Sequence, residues 1–232
     1  MPEIRLISAV LVLCAAPLLA VADDDPTDAG NRYDDDGIYA SEISASAAYI
    51  ATNDPPPRGR SPKAGSPKAV ILDVRTIEEY LGGHPKGAYS IPYPHVYNRQ
   101  RDPEKPYSYV AQDPEAFVDA VDALGLSKKN TLIITMCRTG KRSVGAANIL
   151  TLAGYENVQN MWEGFVGRTK VNTSGDEVDL DGDGNVTTDP YSGDLDGWAN
   201  FAGLPVDYEV EPELLFQDYL SYYFDPLIVG ER

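Results

Sequence analysis

Thr131-Leu132-Ile133-Ile134-Thr135-Met136-Cys137-Arg138-Thr139-Gly140-Lys141-Arg142-Ser143, continuing into Val144 to Leu150 (VGAANIL), is the stretch that decides the fold. Thr131 to Met136 is a β-branched and apolar run, the pattern of a strand buried on both faces. A turn with one glycine follows, and Ser143 to Ala153 reads as a helix. A buried strand feeding a helix through a short turn is the unit of a parallel sheet. The chain repeats this alternation on both sides. Ser41 to Asn53 reads as a short strand and a short helix, and Ala69 to Arg75 (AVILDVR) as a second buried strand. Thr76 to Leu81 starts a short helix, Ala88 to Ile91 is a further strand, and Asn157 to Met161 is the last. Asp113 caps an amphipathic helix through Leu124 that places Phe117, Val118, Val121 and Leu124 on one face. The expected class is α/β, with a central, mostly parallel sheet.

Composition narrows the function. The 232 residues hold 36 Asp and Glu against 19 Lys and Arg, a net charge of -17, which argues against nucleic acid or anionic membrane as partner. Two His and two Cys do not furnish the usual four-ligand zinc site. Residues 1–22 read as an export signal: Arg5, an apolar run from Leu6 to Val21, and an Ala20-Val21-Ala22 cleavage site before Asp23-Asp24-Asp25. The expectation is a protein exported to a bacterial periplasm or secreted, with no membrane contact after cleavage and an acidic leader over 23–40. Cys14 leaves with the signal, so Cys137 is the one remaining thiol. Asp54 to Lys68 (DPPPRGRSPKAGSPK) is a Pro/Gly/Ser linker.

Cys137 sits where chemistry is expected. Ligands of open α/β sheets bind at the carboxyl ends of strands, where loop N–H groups and a helix N-terminus favour an anion. Gly140 lets the loop curl, and Arg138, Lys141 and Arg142 put three positive charges within five residues of an otherwise acidic chain. Such a setting favours a thiolate and binds an oxyanion. The competing reading is an inert buried cysteine beside a solvated turn.

These residues, in company, resemble the rhodanese family of sulfurtransferases. Leu72-Asp73-Val74-Arg75-Thr76 with Glu78-Glu79-Tyr80 looks like the family's LDVR-x-x-EEY segment. Gly83-His84-Pro85-Lys86-Gly87-Ala88 is similar to its GHIPGA turn, departing at Pro85 and Lys86. The loop from Cys137 to Ser143, then Gly154-Tyr155 and Met161-Trp162-Glu163-Gly164, follow in order, and Gly197-Trp198 with Gly203-Leu204-Pro205-Val206 matches the closing helix and tail. The likeness covers about residues 41–208 and implies a three-layer fold with helices on both faces of the sheet. It implies that Cys137 is the catalytic nucleophile and takes sulfur from thiosulfate or a related small anionic donor as a persulfide. A thiol or cyanide, or a protein thiol, then accepts it. Arg138, Thr139, Gly140, Lys141, Arg142 and Ser143 would bind substrate, with Asp73 and Arg75 supporting the loop and no organic cofactor. Cys137 to Arg142 is Cys-x4-Arg, shorter than the Cys-x5-Arg of rhodanese-like phosphatases and arsenate reductases, which makes those activities the lesser enzyme readings. The rival from another class is a non-enzymatic sulfur carrier or protein-binding module.

Two features depart from the family. Between Gly164 and Gly197 an insertion, about 165–195, contains Asp179-Leu180-Asp181-Gly182-Asp183-Gly184-Asn185. This D-x-D-x-D-G pattern resembles an EF-hand-type calcium loop. Asp179, Asp181, Asp183, Asn185 and Asp189 are the expected Ca²⁺ ligands, in a structural role; Asp194 or Asp196 are alternatives to Asp189, because position 12 is Pro190 in place of Glu. The competing reading is a solvated acidic loop. The second departure is a long stretch, Pro94 to Gln112, read as surface loop or active-site rim. Residues 209–232 are expected to form a helical tail docked on the domain.

Overall fold

Period-two alternation along two strands splits the core into two halves. A computed structural model describes residues 37–53, 68–97, 110–189, 193–200 and 202–225. The expected export signal, most of the acidic leader and nearly all of the linker therefore lie outside the described residues. In chain order the elements are β1 (Ser41–Ile43), α1 (Ala45–Asn53), β2 (Lys68–Asp73), α2 (Ile77–Leu81), β3 (Tyr89–Ser90), β4 (His95–Tyr97), β5 (Val110–Ala111), α3 (Pro114–Ala123), β6 (Thr131–Met136), α4 (Lys141–Leu152), β7 (Val158–Met161) and α5 (Leu220–Tyr223). Val70, Leu72 and Ile133 point into one cluster with Ile77, Phe117, Val121, Ala147 and Leu150, so α2, α3 and α4 cover that face. Ile71, Ile134 and Met136 point the other way, against Ala45 and Ala48 of α1 and against Phe165 and Trp198. Helices thus lie on both faces of one sheet.

That sheet is five-stranded, in the order β1-β7-β6-β2-β3. Every pairing in it is parallel. From β2 the chain moves outward to β3, whereas from β6 it moves the other way to β7, so the winding reverses between β2 and β6. The carboxyl ends of those two strands are where a ligand crevice forms.

Local signals placed most elements as expected. Thr76 caps α2 through a capping box with Glu79, and Asp113 caps α3, with Pro114 at its first turn. The differences are instructive. Helix α4 starts at Lys141, ahead of the expected Ser143, with Gly140 as its N-cap at φ 92. Residues 197–200, expected as a closing helix, form a turn whose Trp198 N–H donates to the Gly164 carbonyl. The tail is broken into 3-10 turns at Pro212–Leu214 and Gln217–Tyr219 before α5. It still docks: Leu215, Phe216 and Tyr223 are buried, and the Tyr223 hydroxyl meets Ser90 Oγ at 2.8 Å. Within the stretch read as loop or rim, β4 and β5 pair antiparallel. Among the described residues, no helix is long and apolar enough to cross a membrane.

Candidate active site

Cys137 directly follows the last residue of β6 and is 1% exposed. Its carbonyl accepts from the Phe165 N–H at 2.8 Å, and the Arg138 carbonyl accepts from Val166 and Gly167. The loop is thus held by its oxygens from below. The N–H groups of Arg138 and Gly140 donate to no other group among the described residues. Ser143 Oγ lies 3.4 Å from Cys137 Sγ and 3.0 Å from the Gly140 carbonyl, so one hydroxyl proton can serve either acceptor.

Two glycines make this geometry sterically possible. A Cβ on Gly140 would fall 2.1 Å from the Trp162 carbonyl oxygen. One on Gly164, at φ 72, would fall 2.7 Å from three backbone atoms of residues 137–139. The loop and the turn after β7 are in direct backbone contact.

The positive charges do not act alike. Arg138 and Lys141 are exposed at the loop. Arg142, expected to hold the anionic substrate, instead makes a bidentate pair with Glu79, 2.7 Å from each nitrogen to its oxygen. Burial raises the Glu79 carboxyl, but Arg142 outweighs it and holds the group below its ordinary value. The same carboxylate accepts from the Thr76 N–H, so one side chain caps α2 and pins it to the first turn of α4. Glu79 was legible as the fourth residue of a Thr-x-x-Glu capping box; its second role was not.

Asp73 and Arg75 are buried at the end of the neighbouring strand. Arg75 donates to both Asp73 oxygens, at 2.6 Å for the closest contact, and to the Gly83 carbonyl. Its guanidinium also lies 3.9 Å from the Phe165 ring centroid. Phe165 is the residue whose N–H holds the Cys137 carbonyl, so the pair braces the loop through packing. His84 stacks on Tyr80 at 3.8 Å and bridges to Asp207, and burial holds its pKa below the ordinary histidine value.

In the insertion, the carboxylates of Asp179, Asp181 and Asp194 have oxygens within 4.8 Å of one another. Asp194 is buried and accepts from the N–H groups of Leu180 and Thr187. Asp179 accepts from Gly182 and Gly184, and Gly184 takes φ 92 as the sequence pattern requires. Asp183 and Asp189 are exposed and stand outside that group, and Asn185 is exposed beside Asp183, its N–H donating to that carboxylate.

A model of the Rhodanese-like domain family matches residues 62–169, which take in Asp73, Arg75 and the whole Cys137–Ser143 loop. An uncharacterised protein of Rickettsia prowazekii, RP600, is 31% identical over 102 residues, 44% of this chain and 73% of that protein. The chain belongs to the rhodanese-like family. Thiosulfate sulfurtransferase 18 of Arabidopsis thaliana is 30% identical over 95 residues, 41% of this chain and 62% of that one. The solved structure of Rv0390 from M. tuberculosis is 22% identical, covers 74% of this chain and 99% of its own, and has a TM-score of 0.42, a level that adds nothing to the topology above. The family match ends at residue 169, ahead of the acidic loop.

Proposed function

We propose that this protein is an exported sulfurtransferase that moves a sulfane sulfur through a Cys137 persulfide. The observation that carries the reading is the buried Cys137 thiol at the N-terminus of a helix whose first turn is Lys141-Arg142, with no acidic residue. Cations at a helix N-terminus oppose the macrodipole. Glu79 answers the Arg142 charge, and a local rule broken at the start of a helix is expected at a functional site. In the first half-reaction the Cys137 thiolate attacks the outer sulfur of thiosulfate, the S–S bond breaks, and sulfite leaves with the electron pair. Ser143 Oγ lies 3.4 Å from the Cys137 sulfur, and Arg138 and Lys141 supply the field that draws the anion. A thiolate or cyanide then attacks the outer sulfur, and Cys137 departs as thiolate. Intact mass after incubation with thiosulfate tests the reading: a one-sulfur increment, absent in Cys137→Ser, supports it, and an unmodified mass overturns it.

The insertion is proposed to bind one Ca²⁺ through Asp179, Asp181 and Asp194, whose carboxylate oxygens lie within 4.8 Å of one another. Three clustered carboxylates repel one another without a cation, and extracellular loops of this kind bind at about 10⁻⁴–10⁻³ M. Its role is to order the insertion, not to do chemistry.

A further inference from the structure

Where the tail docks, it leaves a groove between itself and α3, beside the edge strand β3. The cavity there measures about 700 Å³, and no residue of the Cys137–Ser143 loop lines it. Ile91, Leu215 and Phe216, all buried, close its floor. One wall is a stripe of α3 in which Asp119 stands one turn before Ala123. Ala120 and Ala123 are the reason the volume stays open, since a longer side chain at either position would fill it. The opposite wall is the pair of 3-10 turns, which present Glu213 and Asp218. That wall lies outside the stretch matched by the family.

The tail wall is held in place by groups that are fully used in holding it. Gln217 Nε2 donates to the Pro212 and Leu215 carbonyls, at 2.8 Å each, and so ties one turn to the next. Leu215 forms a parallel bridge with Ser90 at the end of β3, and the Phe216 ring packs 5.2 Å from that of Tyr219. The three carboxylates are different. Asp119, Glu213 and Asp218 have no hydrogen bond or ion pair with any described residue. Among the described residues lining the cavity there is no Lys, Arg or His to neutralise them.

This combination selects for one kind of ligand. Carboxylates at the rim attract a cation, and the Tyr89 and Phe216 rings that also line the cavity favour one over their faces. The apolar floor favours a hydrocarbon body, and the volume lies in the range of organic-ligand sites. A bare metal ion fits poorly. Among the described residues, the group of carboxylates close enough to share one ion is in the insertion, so the rim carboxylates here stand too far apart for that.

We infer that this groove is a second ligand site, separate from the Cys137 loop, that takes a small organic ammonium with an apolar body. The inference does not rest on the sulfurtransferase reading.

The test uses three probes with the same phenylbutyl body and different charge: phenylbutylammonium, phenylbutanol and phenylvalerate. Each is titrated into the full-length protein at constant ionic strength, with binding followed by calorimetry and ligand-observed NMR. The ammonium should bind tightest and the carboxylate weakest. In the triple variant Asp119→Asn, Glu213→Gln, Asp218→Asn, all at exposed positions, the ammonium should lose about tenfold in affinity, the scale of three exposed ion pairs together. Phenylbutanol should bind that variant as it binds wild type. Ala123→Trp, at an exposed position of α3, should fill the groove and remove ammonium binding while the circular dichroism spectrum stays that of wild type. Equal affinity for ammonium and carboxylate, or ammonium binding that is unchanged in either variant, overturns the site.

Discussion

Cys137 is 1% exposed and follows a strand whose partners are all in place, so a serine there changes the chemistry and little else. Cys137→Ser is expected to abolish thiocyanate formation from thiosulfate and cyanide while circular dichroism and the urea midpoint stay near wild type. Arg142 carries a different prediction. Because its guanidinium is engaged by Glu79, Arg142→Ala and Glu79→Gln should each cost about 1–3 kcal/mol of stability at neutral pH. The pH dependence follows from the sign of the Glu79 shift. Its folded pKa lies below the ordinary 4.5, so the pair stabilises fully above that value and is lost as pH falls through the lowered one. Urea melts of wild type and Glu79→Gln should therefore converge as the solution is acidified; a gap that persists in acid would show that the carboxylate charge is not what the pair uses.

Between elements, the contact that matters most is backbone on backbone, where the turn after β7 meets the loop after β6. Gly164→Ala places a methyl against the backbone of residues 137–139 at a positive φ. It is expected to destabilise by at least about 2–3 kcal/mol and to cut transfer, measured by urea melts and by turnover. Gly145→Ala, in the middle of α4, meets nothing nearer than the Tyr93 ring at 3.7 Å and should be neutral or mildly stabilising. This scale also shows what a sequence can carry. Thr131–Met136 and the Asp113-capped helix were legible because burial period and cap chemistry are local. The start of α4 was not, since Lys-Arg contradicts the rule for helix N-termini and the glycine cap offers no side chain to read. The bridges holding the insertion and the pairing of β4 with β5 were equally hidden, because each depends on residues far apart in the chain that only the fold brings together, whereas Asp194 was already among the candidates to complete the acidic loop. For the same reason Arg142 read as an anion ligand: nothing along the chain announces that Glu79, 63 residues earlier, reaches it first.

Taken whole, the molecule is a rhodanese-like frame with an acidic loop built onto one side of its active-site end. If Ca²⁺ orders that loop, millimolar calcium should raise the melting temperature by a few degrees, about what 1 kcal/mol achieves in a chain of this size. Asp181→Ala should abolish the shift, and an equal shift in that variant would leave only a solvated acidic loop. The sheet itself sets a different kind of constraint. β1 pairs with β7 through Ser41 and Gln159, partners 118 positions apart. A ribosome adding about 5–20 residues per second takes roughly 6–24 s to supply the second strand after the first has emerged. Parallel pairing across so long a loop is also slow to close. For that interval β1 has no partner strand, and its unpaired backbone groups are open to any strand that offers hydrogen bonds. The first of the described strands to be synthesised is thus among the last to find its place in the sheet.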